Sequence, residues 1–236
     1  MTALPDAIAA AFALLLSGDP VLWRIVWISL KTSLVGLLLA APPAVVLGYL
    51  IASHRFRGRR LVIWLAQASL SLPTVLIGLL LYLMLSRQGP LGHLHWLFSQ
   101  SGIIAGQFLI AIPVLLAFTL AAVQAADPRF AETAIGHGAS SWRTMTTVLY
   151  EVRFGVMAAV ISGFGRVISE VGCALMVGGN IAGETRTITT AIALETSKGE
   201  FAQGIALGIV LVAVALAMNG ALMLVQGDAH SARGRP

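Results

Sequence analysis

Hydrophobic residues run along this chain in long blocks. Five blocks are nearly free of charge: 25–53, broken only by Lys31, then 61–86, 102–126, 154–177 and 201–227, the fourth carrying Arg166 and Glu170. Each exceeds the roughly 20 residues with which a helix crosses a ~30 Å hydrocarbon core. The alternation of a membrane barrel is absent, and an open sheet would leave backbone groups unpaired in lipid. The pattern predicts an all-α fold, a polytopic membrane helical bundle with about five transmembrane helices. A sixth apolar run, 7–16, is too short to span, so a short interfacial helix is expected over 4–17. A spanning helix over 4–23 is the competing reading, and Asp19 and Pro20 interrupt it. Pro42, Pro43, Pro73 and Pro113 fall inside the blocks. Each removes a backbone donor and can kink its helix, while neighbouring helices in a bundle can satisfy the freed carbonyls.

Composition narrows the class further. Of 236 residues, 58% are hydrophobic and 11% charged, against about 25% charged in soluble domains. Mean hydropathy is +0.89. These values exclude a disordered chain and leave too few charges for the shell of a soluble enzyme. The net charge of +5 would suggest a nucleic-acid partner on a soluble protein. Here it reads as basic residues flanking membrane helices, so the expected surroundings are a lipid bilayer and no nucleic acid. Arg55, Arg57, Arg59, Arg60, Arg129, Arg143, Arg153, Arg233 and Arg235 fall on one side of the predicted spans, while the links after the second and fourth spans hold only Arg87, Arg186 and Lys198. The richer side is expected to be cytoplasmic, with the N-terminus outside and the C-terminus inside. No internal repeat is visible. The expected organisation is one membrane domain over 1–236, with an N-terminal interfacial segment at 1–23, a cytoplasmic loop at 127–153 and a cytoplasmic tail at 228–236.

Enzymatic chemistry finds little support. There is no G-x-x-x-x-G-K-[ST] loop and no H-E-x-x-H pair, and Cys173 is the only cysteine. His93 and His95 lie two apart in a loop that offers no further metal ligands. No catalytic residue, metal site or cofactor is expected. Two segments carry more information. In the loop 127–153, Asp127-Pro128 can start a helix, Gly136 and Gly138 loosen or end it, and Ala139-Ser140-Ser141-Trp142 can begin another. Such a short helix suits docking into a partner's groove, or it touches only lipid headgroups. In the fourth block, Arg166 and Glu170 lie four apart on one helix face near mid-span, with Ser162, Ser169 and Cys173 at matching spacing. A charge at the bilayer centre costs roughly 2.5–3.5 kcal/mol on insertion scales, so this face is expected to meet protein or water. A salt bridge holding a dimer and a pathway lining remain equal readings. Gly163, Gly165 and Gly172 are expected to allow close helix approach. Lys31 can snorkel and is given no role. The apolar segment 188–194, inside the link 178–200, is either a partly inserted gating helix or a helix lying flat outside.

Glu132-Thr133-Ala134 followed by Gly138 and Ala139 resembles the E-A-A-x-x-x-G motif of permease subunits in bacterial ABC importers, with Thr133 in place of the first alanine. The I-x-L-P continuation of that pattern is replaced by Val148-Leu149-Tyr150-Glu151, without its proline. Further stretches resemble the tungstate branch of the molybdate-type permeases: 71–79 (SLPTVLIGL), 85–92 (LSRQGPLG), 163–172 (GFGRVISEVG) and, most specifically, 185–201 (TRTITTAIALETSKGEF). The resemblance implies the permease fold of molybdate- and methionine-type importers, in a bacterial plasma membrane. It implies that Glu132, Thr133, Ala134, Gly138 and Ala139 couple to a cytoplasmic ABC ATPase subunit. It also implies a second copy of the chain and an external substrate-binding protein as partners. The expected function is translocation of an oxyanion, most readily tungstate, through a homodimer interface lined or held by Ser162, Arg166, Ser169 and Glu170. Molybdate or another small anion is the alternative. A self-sufficient secondary carrier should show ionisable residues on several spans, whereas only the fourth has clear central charges.

Overall fold

A computed structural model describes residues 4–233, with side chains for 8–220 and for 223. The described residues form helices and no strand. They are α1 (Leu4–Leu16), α2 (Pro20–Ser53), α3 (Arg59–Ala68), α4 (Thr74–Leu85), α5 (Gln100–Gln124), α6 (Arg129–Gly136), α7 (Ser141–Glu151), α8 (Arg153–Ile168), α9 (Gly172–Gly178), α10 (Ile188–Lys198) and α11 (Phe201–Arg233). Short 3-10 turns follow α3 and α4. Of the predicted tail 228–236, residues 234–236 lie outside the described residues, as do residues 1–3 of the N-terminal segment.

α2, α5 and the 201–220 part of α11 are each long and apolar enough to cross a membrane alone. Two further helix pairs reach that length and hydropathy only when each pair is counted as one span. The segment 59–71 is separated from α4 by a break at Leu72 and Pro73, and α7 meets α8 at 74°. The second predicted block is therefore not one straight helix. Leu72 is extended ahead of Pro73, since the proline ring pushes the preceding residue out of the helical region. Pro42, Pro43 and Pro113 instead sit inside unbroken helices. The fourth block is also divided: α8 ends at Ile168 and α9 begins at Gly172. The 4–23 spanning reading is corrected as well, because the chain turns at Gly18 with φ +69° and Asp19 starts a new helix by accepting from the Val21 amide at 2.9 Å. At 13 residues α1 is about 20 Å long, short of a bilayer core.

Two compact units are distinguished. The first comprises Met1–Gly36, Pro73–Ile110 and Gly165–Met218, the second Leu37–Leu72, Ala111–Phe164 and Asn219–Pro236. In the first, Ala11, Leu22, Ile25 and Val26 form a core with Ile188, Ala191, Ala206 and Leu207, all buried. In the second, Tyr49, Val123, Met145 and Val148 form the core, with Ala131 and Leu149 packed against it.

Small residues set the helix contacts, as expected where lipid removes the hydrophobic drive between helices. A Cβ on Gly36 would lie 2.9 Å from Gln107 Cβ, and one on Gly48 3.0 Å from Thr119 Cβ. These pairs advance together along the chain, so α2 and α5 run parallel. A Cβ on Gly155 would lie 2.6 Å from Ala122 Cβ and one on Gly163 would meet Leu115 at 3.4 Å, so α8 runs antiparallel to α5. Gly172 meets Val75, and Gly78 meets Cys173 and Met176, which lays α9 parallel to α4. Gly163 and Gly172 thus make the predicted close approaches, whereas Gly165 has open space around it.

Candidate functional site

The loop 127–153 folds as two short helices, α6 and α7, packed on each other. Asp127 starts α6 by accepting from the Arg129 amide at 2.9 Å. The end is set by Gly138 alone, since Gly136 remains helical. Gly138 N donates to Ile135 O at 2.9 Å and Ala139 N to Ala134 O at 3.0 Å, the paired bonds of a Schellman stop. Gly138 takes φ +76°, and a Cβ there would find nothing within 4 Å. Glycine is required here for its backbone angle, not for space. Ser140 then caps α7 by accepting from Arg143 N at 3.4 Å.

α7 turns Thr144, Met145 and Val148 inward, while the apolar side chains of Phe130, Ile135 and Trp142 stand exposed. Glu132 is exposed and has no ion-pair partner among the described residues. A cleft of about 740 Å³ is lined by Arg129, Phe130, Thr133, Ala134, Gly138 and Ala139 among others. A second of about 640 Å³ lies between the end of α2 (Val46, Tyr49, Leu50) and Ile135, Trp142 and Met145. Of the predicted coupling residues, Thr133, Ala134, Gly138 and Ala139 line one cleft, and Glu132 stands exposed outside its lining. No proline marks the junction at Val152; Arg153 stacks over Tyr150 and Phe154, 4.4 and 4.6 Å from the ring centroids.

The second candidate group differs from its prediction. Arg166 lies in the last turn of α8, and Glu170 falls in the break before α9. Nη1 of Arg166 donates to Oε2 of Glu170 at 3.3 Å, so the predicted pair does form. Their surroundings are unequal: the Arg166 side chain is 40% exposed and that of Glu170 3%. Ser162 and Ser169 are exposed, and Cys173 is buried, so the single polar face expected on a continuous helix is divided by the break. Ser169 bonds its own helix, donating to Gly165 O at 2.8 Å.

Glu170 joins three helix ends. Oε1 accepts from the Cys173 amide at 3.0 Å in the first turn of α9. Its backbone carbonyl accepts from Thr189 Oγ1 at 2.6 Å, at the start of α10. Ile188 N donates in turn to Ser29 Oγ of α2 at 2.6 Å, and Thr187 with Thr190 closes a capping box. Ile188, Thr189, Thr190 and Ala191 are buried, which overturns the reading of a helix lying flat on the surface. The Thr187/Thr190 spacing was a visible cap signal; nothing local pointed to Ser29 or Glu170 as their partners. Lys31 also has a role: Nζ donates to Gln100 Oε1 at 3.0 Å, and Gln100 Nε2 donates to Glu184 O at 2.9 Å, a link that holds the loop before α10.

Residues 44–227 match the protein family described as "Binding-protein-dependent transport system inner membrane component". The chain is similar to the tungstate uptake system permease protein TupB of Campylobacter jejuni, 37% identical over 91% of this chain and 90% of that one. The TupB of Peptoclostridium acidaminophilum is 32% identical over 97% of this chain and 100% of its own length. The molybdenum transport system permease protein ModB of Haemophilus influenzae is 30% identical over 70% and 76%. The fold resembles a crystal structure of a bacterial ABC transporter involved in the import of the acidic polysaccharide alginate, with a TM-score of 0.69 at 20% identity, covering 91% of this chain and 83% of that one.

Proposed function

Because the chain belongs to the family of binding-protein-dependent transport system inner membrane components, we propose that it is the translocation subunit of an ATP-driven tungstate importer. It is an ABC importer permease of the inner membrane, and the observation that carries the tungstate assignment is its 37% and 32% identity to two tungstate uptake permeases over nearly its whole length. The similarity to a molybdenum permease is lower and shorter, which makes molybdate the second reading.

Two copies of the chain form the pathway, an ATPase subunit docks on the cytoplasmic side, and a binding protein delivers the anion from outside. The exposed α6–α7 surface supports the ATPase contact, with Thr133, Ala134, Gly138 and Ala139 lining its cleft, Glu132 exposed beside it, and Phe130, Ile135 and Trp142 as apolar anchors. Parallel α2 and α5, with α8 reversed, support five alternating crossings with the N-terminus outside. Ser162, Arg166 and Ser169 face the pathway or the dimer partner. Glu170 holds Arg166 in place from the buried side. The pinned N-terminus and exposed C-terminal end of α10 support a gating element anchored at its start. Calorimetric titration of the binding protein encoded with this chain, using tungstate, molybdate and sulfate, tests the substrate. Tungstate is expected to bind tightest, and preference for molybdate would move the assignment to the second reading.

A further inference from the structure

The chain has no acidic residue between Asp19 and Asp127. Positive charge in that stretch gathers at the turn from α2 into α3, where Arg55, Arg57 and Arg60 are exposed and paired with no carboxylate among the described residues. Arg59 behaves differently. Its guanidinium donates to Ile51 O and Ala52 O, both at 2.8 Å, and clamps the start of α3 to the end of α2. Beyond that clamp no residue of α3 is fully buried, though Val62, Ile63 and Ala66 are half-buried. Leu61, Trp64 and Leu65 share one face by spacing and are 58%, 62% and 52% exposed. At 10 residues α3 is about 15 Å long, too short to cross a ~30 Å hydrocarbon core by itself.

We propose that α3, with Arg55, Arg57 and Arg60, is an interfacial element that binds anionic lipid. Its Leu61–Trp64–Leu65 face sits at the acyl boundary and its arginines sit on headgroup phosphates. A polar end next to an apolar face with a tryptophan is the composition of helices that settle about 5–10 Å into this boundary. A second copy of the chain fits the face poorly, since a two-fold contact brings the same acid-free, basic surface against itself.

Nitroxide labels on Leu61→Cys, Leu65→Cys and Ala68→Cys, in Cys173→Ala and Cys173→Ser backgrounds, test the placement in vesicles of phosphatidylglycerol and phosphatidylcholine. Accessibility to oxygen and to a nickel chelate should place all three labels at one depth near the headgroups. A crossing helix would separate positions 61 and 68 by roughly 10 Å, and that gradient would overturn the proposal. Shielding from both reagents would also overturn it, because protein would then cover the face. Selectivity for spin-labelled phosphatidylglycerol over phosphatidylcholine should fall by about fivefold for each arginine removed in the series Arg55→Gln, Arg57→Gln and Arg60→Gln. Unchanged selectivity in the triple variant would overturn the lipid assignment.

Discussion

The α6–α7 segment and the α8–α9 joint handle charge in opposite ways. In the first, Glu132 is exposed and without an ion-pair partner among the described residues, and the local fold is fixed by caps within a few residues: Asp127 at the start, Gly138 at the stop, Ser140 at the next start. In the second, Glu170 is buried and fully engaged, by Arg166, the Cys173 amide and Thr189. An exposed carboxylate loses little when its partner leaves, which suits a surface that binds and releases. A buried one must keep its partners, which suits a fixed joint. Substitutions in the joint should therefore act on stability, and substitutions in the α6–α7 surface on association.

The largest effect is expected at the joint. Arg166→Ala leaves the Glu170 carboxylate buried without its cation, at a cost of about 3 kcal/mol, the low end for a broken buried pair because Arg166 is itself part-exposed. Thermal unfolding of the purified chain should show the loss, and Arg166→Ala with Glu170→Ala should recover part of it. Wild-type stability in the single variant would make the joint no different from the surface.

Gly138→Val comes next. A β-branched residue at φ +76° costs on the order of 1–3 kcal/mol, with no added clash since the space is open. The protein should still insert, while co-purification with the ATPase falls. Gly138→Asn should be much milder, because asparagine tolerates that conformation. Equal loss for both would mean that close approach, and not backbone angle, governs the position.

Thr189→Val removes one buried hydrogen bond to the Glu170 carbonyl, worth about 0.5–1.5 kcal/mol. Thr189→Ser keeps it and should restore the melting temperature. The smallest effect belongs to Glu132→Ala, about 0–1 kcal/mol in ATPase binding and none in stability. A stability loss there would erase the contrast between the two regions.

The same contrast decides what was legible in the sequence. The α6–α7 turn is local, and Asp127-Pro128, Gly138 and Ser140 announce it within one or two turns of chain. The membrane blocks were equally plain from hydropathy. Their breaks were not: Pro73 divides its block while Pro42, Pro43 and Pro113 stay inside helices, and no local signal separates these cases. The bonds Lys31–Gln100, Ser29–Ile188 and Glu170–Thr189 join residues 69, 159 and 19 positions apart. Such pairings depend on which helices neighbour one another, and a hydropathy pattern does not carry that.

On the proposed function, ATP hydrolysed by a partner docked on α6–α7 drives tungstate inward through this chain. Uptake of labelled tungstate by vesicles containing the chain and its ATPase, with the binding protein supplied outside, measures it. Uptake should require both ATP and binding protein and fall sharply in Gly138→Val. Tungstate entry without ATP, or undiminished entry in that variant, would contradict the account.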